Sequence, residues 1–474
     1  MTPDPTLAAG TGPAAESAED EIRRILDRFT TYHPERIDLS LDRMFRLLSD
    51  LGNPHEALPP VIHIAGTNGK GSVAAYLGAG LEVGGKTVSV YTSPHLMRFA
   101  ERYHIAGETL GDEALIGLFE EIERINAGKP ITEFEMTTAA ALVAMARTPA
   151  DVAILETGLG GRFDATNVVA HPAATIITRV GFDHMAFLGN TLTAIAGEKA
   201  AIQKKDTPSI VGPQDAEAME TIARAAHEIG APLYRAGFEW HIEPGPDGNA
   251  NYRRSDLVWP LPPPGLMGRH QLDNAATAVA CLEVCDFPGM TRDAISIGIR
   301  NVTWPGRMEW VQRGPLPALL PKGWELWLDA AHNPMGAEAV AETFRKLAQR
   351  DPRPLHLVFS VLADKDLAGF LAPFAGLAVS ATAVPLAGEA RARPVEEMEA
   401  AARAAGLDAY TAAGIPDALT AIAARQPEPS RVLIAGSHLL LAEAIRANTG
   451  GAAQWLDHAA GGHYCAHGGM TPEA

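Results

Sequence analysis

The chain has 474 residues, long enough for about two or three domains with large buried cores. Its hydrophobic content of 47% and charged content of 20% are typical of a globular protein. The formal net charge of −18 argues against the broad basic surface that general nucleic-acid or anionic-membrane binding requires. With only three cysteines and no apolar segment at its N-terminus, the sequence predicts a cytoplasmic protein that binds neither nucleic acid nor membrane.

The predicted elements divide the chain near residue 306. Strands alternate with helices on both sides of this point, which predicts an α/β fold with a doubly wound parallel sheet in the first domain and a Rossmann-like sheet in the second. The predicted divisions are a disordered leader (1–17), a first domain (18–303) with a small β excursion near 237–264, a linker (304–323), a second α/β domain (324–449) and a flexible tail rich in glycine and histidine (450–474).

A glycine-rich turn, Gly66 to Ser72, follows the short apolar run Val61 to Ile64 and precedes a predicted helix. Strand, glycine loop and helix together bind phosphate, because backbone N–H groups can approach the anion and the helix N-terminus attracts it. Lys70 adds a positive charge and Ser72 a hydroxyl. The spacing GTNGKGS is narrower than the general G-x-x-x-x-G-K-[ST] pattern. It predicts a P-loop ATPase-type domain; a tight turn before an ordinary helix is the alternative.

Further candidate residues follow the ends of predicted strands. In a doubly wound sheet, ligands bind at the carboxyl ends of the strands, where Gly66, Ser93, Glu156 and His184 fall. A carboxylate that faces a phosphate loop suits Mg²⁺, which prefers oxygen ligands. From the residues alone, Glu156 also fits a capping or ion-paired side chain, His184 a structural histidine, and Lys199 a solvated surface charge.

The second domain carries its own candidate pair, Asp329 and His332, in the segment DAAHNP after a predicted strand. An aspartate and a histidine at a strand end of a separate domain suit closure onto a substrate that the first domain holds. Helix capping alone explains Pro334, which occupies a first-turn position. It does not explain the spacing of Asp329 and His332.

Eleven segments, in the same order, resemble the bifunctional dihydrofolate synthase/folylpolyglutamate synthase family of the Mur ligase superfamily, from about Ile22 to Ala447. They are GTNGKGS, TSPHLMRFAER, FEMTTAAAL, LETGLGGRFDATN, DHMAFLG, GEKAAI, GRHQLDNAATA, WPGRME, DAAHNP, LADKD and AGSH. The resemblance implies a monomeric ligase that uses ATP and Mg²⁺ to add L-glutamate to dihydropteroate and to folates through an acyl phosphate.

The resemblance also implies a role for each matched residue. Catalytic roles fall on Lys70, Lys199 and His332, with Lys199 matching a lysine that the family commonly carbamylates. Two magnesium ions would share Glu156, with Ser93 and His184 as further ligands. The ATP contacts are Gly66, Thr67, Asn68, Gly69, Lys70, Gly71, Ser72, Asn274, Arg307 and Asp329. The glutamate site matches Arg102, His332 and Ser437, and the pterin pocket matches Phe134 and Asp164.

Several alternatives stay open. A mono-functional folylpolyglutamate synthase would share these motifs. A non-catalytic P-loop protein would keep the glycine loop, but it would not need the other strand-end residues or the second domain. A peptidoglycan Mur ligase would need a nucleotide-sugar domain before the P-loop, and too few residues precede it. From the residues alone, Phe134 also fits a helix core and Asp164 a loop cap.

Overall fold

The structure, a computed structural model, describes residues 17–33 and 38–449. Within these residues the chain forms two α/β domains and a small antiparallel sheet, so the predicted fold class and the predicted β excursion are confirmed. The predicted tail and all but the last residue of the predicted leader lie outside the described residues. None of the described helices is both long and apolar enough to cross a membrane.

The first domain is built on an eight-stranded sheet within the described residues. Its strands are β1 (Val61–Ala65), β2 (Val88–Tyr91), β3 (Tyr103–Ile105), β4 (Glu108–Thr109), β5 (Val152–Glu156), β6 (Ala174–Ile177), β7 (Ser209–Val211) and β8 (Leu233–Arg235). The spatial order is β4-β3-β2-β5-β1-β6-β7-β8, in which β3 pairs antiparallel with both β2 and β4 and the other neighbours pair in parallel. The glycine loop therefore leaves the middle of the sheet.

Helices cover both faces of this sheet. They are α1 (Ala18–Phe29), α2 (Asp42–Asp50), α3 (Lys70–Val83), α4 (Asp112–Asn126), α5 (Glu133–Arg147), α6 (Met185–Leu188), α7 (Leu192–Ala200), α8 (Ala216–Ile229), α9 (Arg269–Cys285) and α10 (Arg292–Asn301). Strand side chains alternate between faces. In β1, Ile62 and Ile64 pack with α3, α9 and α10, whereas Val61 joins the opposite core with α1, α2, α4 and α5. Both faces of β1 are therefore buried.

A small antiparallel sheet packs beside the core of α3 and α9. It consists of β9 (His241–Pro244), β10 (Ala250–Arg254) and β11 (Leu257–Leu261). Three aromatic side chains, Trp240, Tyr252 and Trp259, attach it to that core, and neighbouring ring centroids lie 6.1 and 6.3 Å apart. The aromatic residues that suggested a β excursion thus provide its anchor.

The second domain has a six-stranded sheet among the described residues. Its strands are β12 (Glu309–Val311), β13 (Glu325–Leu328), β14 (Leu355–Phe359), β15 (Ala378–Ala383), β16 (Asp408–Thr411) and β17 (Arg431–Ala435). Its helices are α11 (Pro315–Ala318), α12 (Pro334–Arg350), α13 (Leu367–Leu371), α14 (Val395–Ala404), α15 (Ile415–Arg425) and α16 (His438–Thr449). The order is β12-β13-β17-β14-β15-β16, with only β12 antiparallel to its neighbour in the described sheet.

The second sheet begins earlier than the sequence predicted. The segment 304–323, expected to be a linker, contains the edge strand β12 and the short helix α11. Trp310 of β12 pairs with Trp327 of β13, and their rings stack with centroids 5.9 Å apart. A three-residue strand among prolines and glycines has too little periodicity to be recognised, and cross-strand pairing stabilises it.

Two helical glycines predict opposite effects on stability. A methyl group at Gly298 of α10 would lie 2.6 Å from the backbone nitrogen of Gly80 in α3, which cannot move aside. We expect Gly298→Ala to lower the free energy of unfolding by about 1–3 kcal/mol. Gly117 of α4 is exposed and has no neighbour within 4 Å of that position, so Gly117→Ala should raise it by about 0.5–1 kcal/mol. Urea unfolding midpoints measure both variants, and shifts of the same sign would contradict the packing argument.

Candidate active site

The carboxyl ends of the two parallel sheets face one cavity of about 1150 Å³. Loops that follow strands of both sheets line it. Every site residue selected from the sequence lies on its wall: Gly66, Thr67, Asn68, Gly69, Lys70, Gly71, Ser72, Ser93, Arg102, Phe134, Glu156, Asp164, His184, Lys199, Asn274, Arg307, Asp329, His332 and Ser437. The structure therefore brings all of them to one place.

The glycine loop presents the first turn of α3 to this cavity. The backbone N–H groups of Thr67 and Asn68 are bonded to the carbonyl of Arg179, at 3.0 and 3.3 Å. Those of Lys70, Gly71 and Ser72 precede the first intrahelical bond, which the Val73 N–H makes to Gly69. The first N–H groups of a helix lack intrahelical acceptors and form an anion site.

Close packing explains the glycines of this loop. A side chain at Gly66, where φ is +151°, would overlap the Thr178 hydroxyl. A methyl group at Gly69, where φ is +90°, would lie 2.5 Å from the amide oxygen of Asn274. Asn274 in turn donates to Gln271 (3.0 Å), and Gln271 donates to the Ser72 hydroxyl (3.2 Å). Helix α9 thereby holds the loop from behind.

Glu156 ends β5 beside Lys70, with 3.7 Å between carboxylate and ammonium. Burial raises the pKa of Glu156, although the charges of Lys70 and Arg307 and the backbone N–H of Ser93 oppose the rise. A buried carboxylate with a raised pKa gains from any further cation beside it. The Glu156 carboxylate therefore interacts with three other predicted site residues, Lys70, Arg307 and Ser93.

Lys199 and His184 approach the glycine loop from the side of α7. The Lys199 ammonium donates to the carbonyl of Gly66 at 3.0 Å. Burial, aided by the charge of Lys70, lowers the pKa of Lys199 to about 7. His184, at a backbone φ of +52°, precedes α6, and its side chain is 39% exposed. Partial burial and the charges of Lys365, Lys199 and Lys70 lower its pKa. Its imidazole is therefore neutral near pH 7, the form that binds metals.

The second domain contributes the opposite wall. Asp329, after β13, accepts the backbone N–H groups of Met308 and Ala331, both at 2.8 Å, and burial raises its pKa. The Ser437 hydroxyl caps α16 by accepting the N–H of Leu440 at 3.0 Å. Both side chains therefore organise their loops as well as lining the cavity.

Asp183 connects the two domains. Its carboxylate lies 2.5 Å from the Lys365 ammonium, 3.1 Å from the Asn333 amide and 3.4 Å from the His332 ring. Burial alone would raise the pKa of Asp183, but the His332 hydrogen bond and the charge of Lys365 outweigh it and hold the pKa well below its usual range. A second contact joins the amides of Asn68 and Asn333 at 2.9 Å.

One lobe of the cavity lies between α5 and the loop 157–167. Phe134 packs so closely on Gly158 that a methyl group there would lie 2.4 Å from the ring. Asp164 accepts the N–H of Leu159 (2.8 Å) and both the N–H (3.0 Å) and hydroxyl (2.6 Å) of Thr166. Burial raises its pKa, and these bonds oppose the rise. The aspartate is therefore a loop cap whose carboxylate also borders the cavity.

Both domains match known protein families. Residues 64–282 match the Mur ligase middle domain, and residues 306–438 match the Mur ligase glutamate ligase domain. A Bacillus subtilis dihydrofolate synthase/folylpolyglutamate synthase is 36% identical over 69% of this chain and 76% of its own length. The Escherichia coli protein of the same name is 37% identical over 72% and 76%. The chain belongs to the dihydrofolate synthase/folylpolyglutamate synthase family.

Solved structures of this family superpose on both domains. Escherichia coli FolC in complex with DHPP and ADP matches with a TM-score of 0.81 and 32% identity, over 92% of this chain and 98% of that one. A family member with Mn, AMPPNP and L-glutamate bound matches with a TM-score of 0.77 and 30% identity, over 89% and 97%. The family's two-domain fold is therefore present throughout the described residues.

The predicted metal ligands fit a magnesium ion better than a closed metal centre. Glu156 and Ser93 offer the oxygen donors that Mg²⁺ prefers, and the carboxylate is buried beside the phosphate loop. No group of three or more His, Cys, Asp or Glu side chains among the described residues is arranged to hold a metal. In this family's phosphate site the remaining ligands would therefore be phosphate and water, as is usual for Mg²⁺.

Sequence reasoning assigned no role to Asp183, Lys365, Asn333 or Gln271. Each lies within or beside a motif that carried the family resemblance. Only their positions could have pointed to them: Asp183 directly precedes His184, and Gln271 precedes Asn274 by three residues on α9. Lys365 lies in the loop after β14, and nothing in its own segment indicates a partner 182 positions earlier.

We expect Asp183→Asn to open the two domains. The substitution keeps the shape of the side chain but leaves Lys365 without its counter-charge, and breaking a buried ion pair typically costs about 3–5 kcal/mol. Small-angle scattering should show a larger radius of gyration, and amides of 362–366 should exchange faster. Asp215→Asn is the matched control, because Asp215 is 59% exposed and pairs with Arg179 at the surface. Equal behaviour of both variants would contradict the bridging role.

Proposed function

We propose that this protein is an ATP-dependent ligase that adds L-glutamate to dihydropteroate and to reduced folates. The observation that supports this function best is the composition of the cavity. The first domain contributes a phosphate loop, Glu156 and the lobe beside Phe134, and the second contributes His332 and Ser437 from across the gap. A nucleotide, an acceptor acid and an amino acid can therefore meet at one point.

In the first step, an oxygen of the acceptor carboxylate attacks the γ-phosphorus of ATP, and ADP leaves. The product is an acyl phosphate. Both reactants are anions, so their approach needs positive charge, which Lys70 and Arg307 supply at the cavity wall. A bound Mg²⁺, held by Glu156 and Ser93, would supply further charge neutralisation at the phosphates. The N–H groups at the start of α3 would fix the phosphate chain.

In the second step, the amine of glutamate attacks the acyl carbon, phosphate leaves and the amine loses a proton. His332, Arg102 and Ser437 would hold the incoming glutamate, whose two carboxylates require local positive charge. Arg102 is positioned by His95 (3.0 Å) and by the Phe99 ring, 4.3 Å beneath its guanidinium. The bonds of Asp183 to the second domain keep the gap closed, which protects the acyl phosphate from water.

Lys199 fits the role of a carbamylated lysine. A carbamate forms only when an unprotonated amine attacks carbon dioxide, and the proton that is released leaves an anion in place of a cation. Because burial lowers the pKa of Lys199 to about 7, about half of its amines are unprotonated at pH 7. The reactive fraction rises as the pH increases through 7 and falls below it.

Activity should therefore depend on carbon dioxide. In CO₂-depleted buffer near pH 7.5 we expect phosphate release to fall and to recover when bicarbonate is added. Lys199→Ala should lose at least about tenfold in rate, about 1.4 kcal/mol in the barrier, and acetate should restore part of it. Lys205→Ala, at an exposed position on the same segment, is the control. A fully active Lys199→Ala enzyme would leave Lys199 without a catalytic role.

The bifunctional assignment is tested by acceptor specificity. Phosphate release that requires ATP, Mg²⁺ and L-glutamate is measured separately with dihydropteroate and with a reduced folate monoglutamate, and we expect turnover of both. Lys70→Ala should reduce both rates by at least about tenfold. Turnover of the folate alone would indicate a mono-functional folylpolyglutamate synthase. Turnover of neither acceptor would favour a non-catalytic ATP-binding protein.

Two further properties stay predictions of the sequence. A cytoplasmic location is a prediction from the low cysteine content. The monomeric state follows from the family resemblance alone. Sedimentation of the purified protein measures the second of these directly.

A further inference from the structure

A chain of hydrogen bonds runs from the centre of β1 to the cavity wall. His63 lies in the middle of β1, fully buried, and its Nε2 is 2.7 Å from the Thr166 hydroxyl. The same hydroxyl is 2.6 Å from the Asp164 carboxylate, which borders the cavity. Neither His63 nor Thr166 lines the cavity itself. The side chains of His63 and Thr166 are therefore linked to the cavity wall through Asp164.

The position of His63 follows from the strand. Side chains alternate along β1, so His63 shares the face of Val61 and not that of Ile62 and Ile64. It pairs in register with Leu155 of β5, whose side chain lies in the same core as Ala165 and Val168 of the following loop. A histidine in this apolar core needs a polar partner, and the Thr166 hydroxyl is the one that the loop provides.

The available protons determine which group donates in each of these hydrogen bonds. Asp164 already accepts backbone N–H groups from Leu159 and Thr166, as an ionised carboxylate does. The single hydroxyl proton of Thr166 then points to Asp164, so the hydroxyl oxygen must accept from His63. His63 is therefore neutral with its proton on Nε2. Its Nδ1 is buried without a hydrogen-bond partner, so the Thr166 contact is the polar bond that orients the ring.

We propose that His63 and Thr166 are positioning residues for the acceptor acid: they orient the Asp164 carboxylate, and with it the loop 157–167, at the dihydropteroate lobe of the cavity. This inference rests on the proposed function in that it names the substrate whose site is positioned. The same strand β1 leads directly into the phosphate loop at Gly66. One strand thus sets the positions of both the nucleotide and the acceptor.

Two features of the loop agree with this role. Burial, aided by the nearby charge of Lys204, lowers the pKa of His63 to about 3, so the ring stays a neutral donor across the physiological range. Lys204 also donates to Asn167 at 2.8 Å and secures the far end of the loop. The loop is therefore held on both sides of Asp164.

Matched substitutions separate positioning from general packing. Thr166→Val keeps the shape and removes the hydroxyl, whereas Thr166→Ser keeps the hydroxyl. His63→Phe keeps a ring without a donor, whereas His63→Gln keeps an N–H at a similar reach. We expect Thr166→Val and His63→Phe to raise KM for dihydropteroate about tenfold, as for a lost hydrogen bond to a charged group, while KM for ATP stays within about twofold.

Two controls accompany these variants. Thr166→Ser and His63→Gln should keep KM for dihydropteroate within about threefold of wild type. The double variant Thr166→Val/His63→Phe should raise this KM no more than either single substitution, because each of them interrupts the same series of hydrogen bonds. Equal increases in both KM values, or additive effects in the double variant, would show a packing role only and would overturn the proposal.

A spectroscopic measurement tests the chain without turnover. In the full-length protein labelled with ¹⁵N-histidine, a long-range proton–nitrogen spectrum, assigned with His63→Gln, should show the His63 proton on Nε2. A proton on Nδ1 would reverse the direction of both hydrogen bonds, make Asp164 the donor and overturn the inference. If the wild-type protein does not turn over dihydropteroate, the bifunctional proposal fails. The positioning role of His63 and Thr166 is then still tested by this spectrum and by KM for the folate monoglutamate.

Discussion

A single buried carboxylate, Asp183, joins the two sheets of this protein. It lies in the loop between β6 and α6 and is bonded to Lys365, His332 and Asn333 of the second domain. Parallel sheets collect loops at their carboxyl edges, so two such edges that face each other enclose a cavity with functional groups on both walls. The ion pair holds one loop from each edge within hydrogen-bonding distance, so the two walls of the cavity stay opposite each other.

The charge distribution within the cavity is unlike that of the whole chain. The chain carries a net charge of −18, whereas the residues that line the cavity include nearly equal numbers of cations and carboxylates, with Lys70, Lys199, Arg102, Arg307 and Lys365 among the cations. Burial, and after it the charge of Lys70, lowers the pKa of Lys199, so a bound anion beside these two lysines would stabilise their charged forms. The acceptor, ATP and glutamate that we propose as substrates are all anions. The lysine and arginine side chains among the lining residues suit them.

Two kinds of prediction from the sequence were confirmed. The spacing of apolar residues along the sequence indicates where strands and helices alternate, so the α/β class and the small sheet could be predicted. The glycine loop is a local pattern, because strand, glycines and helix follow one another in the chain. The site residues selected from the sequence all line the cavity, and their roles stay predictions. Those that follow strands meet there because the ends of parallel strands lie at one edge, whereas Phe134, Lys199 and Asn274 reach it from helices. Strand β12, which has no such pattern, was missed.

The tertiary structure alone decided which side chains touch. Asp183 and Lys365 are 182 positions apart, Ser72 and Gln271 are 199 apart, and His63 and Thr166 are 103 apart. The strand order β2-β5-β1-β6 differs from the order in the chain, so neighbours in space are not neighbours in sequence. The sequence by itself determined the fold class, the phosphate loop and the set of residues at the strand ends, because local periodicity and turn chemistry encode them. The partners, tautomers and shifted pKa values of those residues arise only when packing buries them beside distant groups, because burial and distance set electrostatic and hydrogen-bond energies.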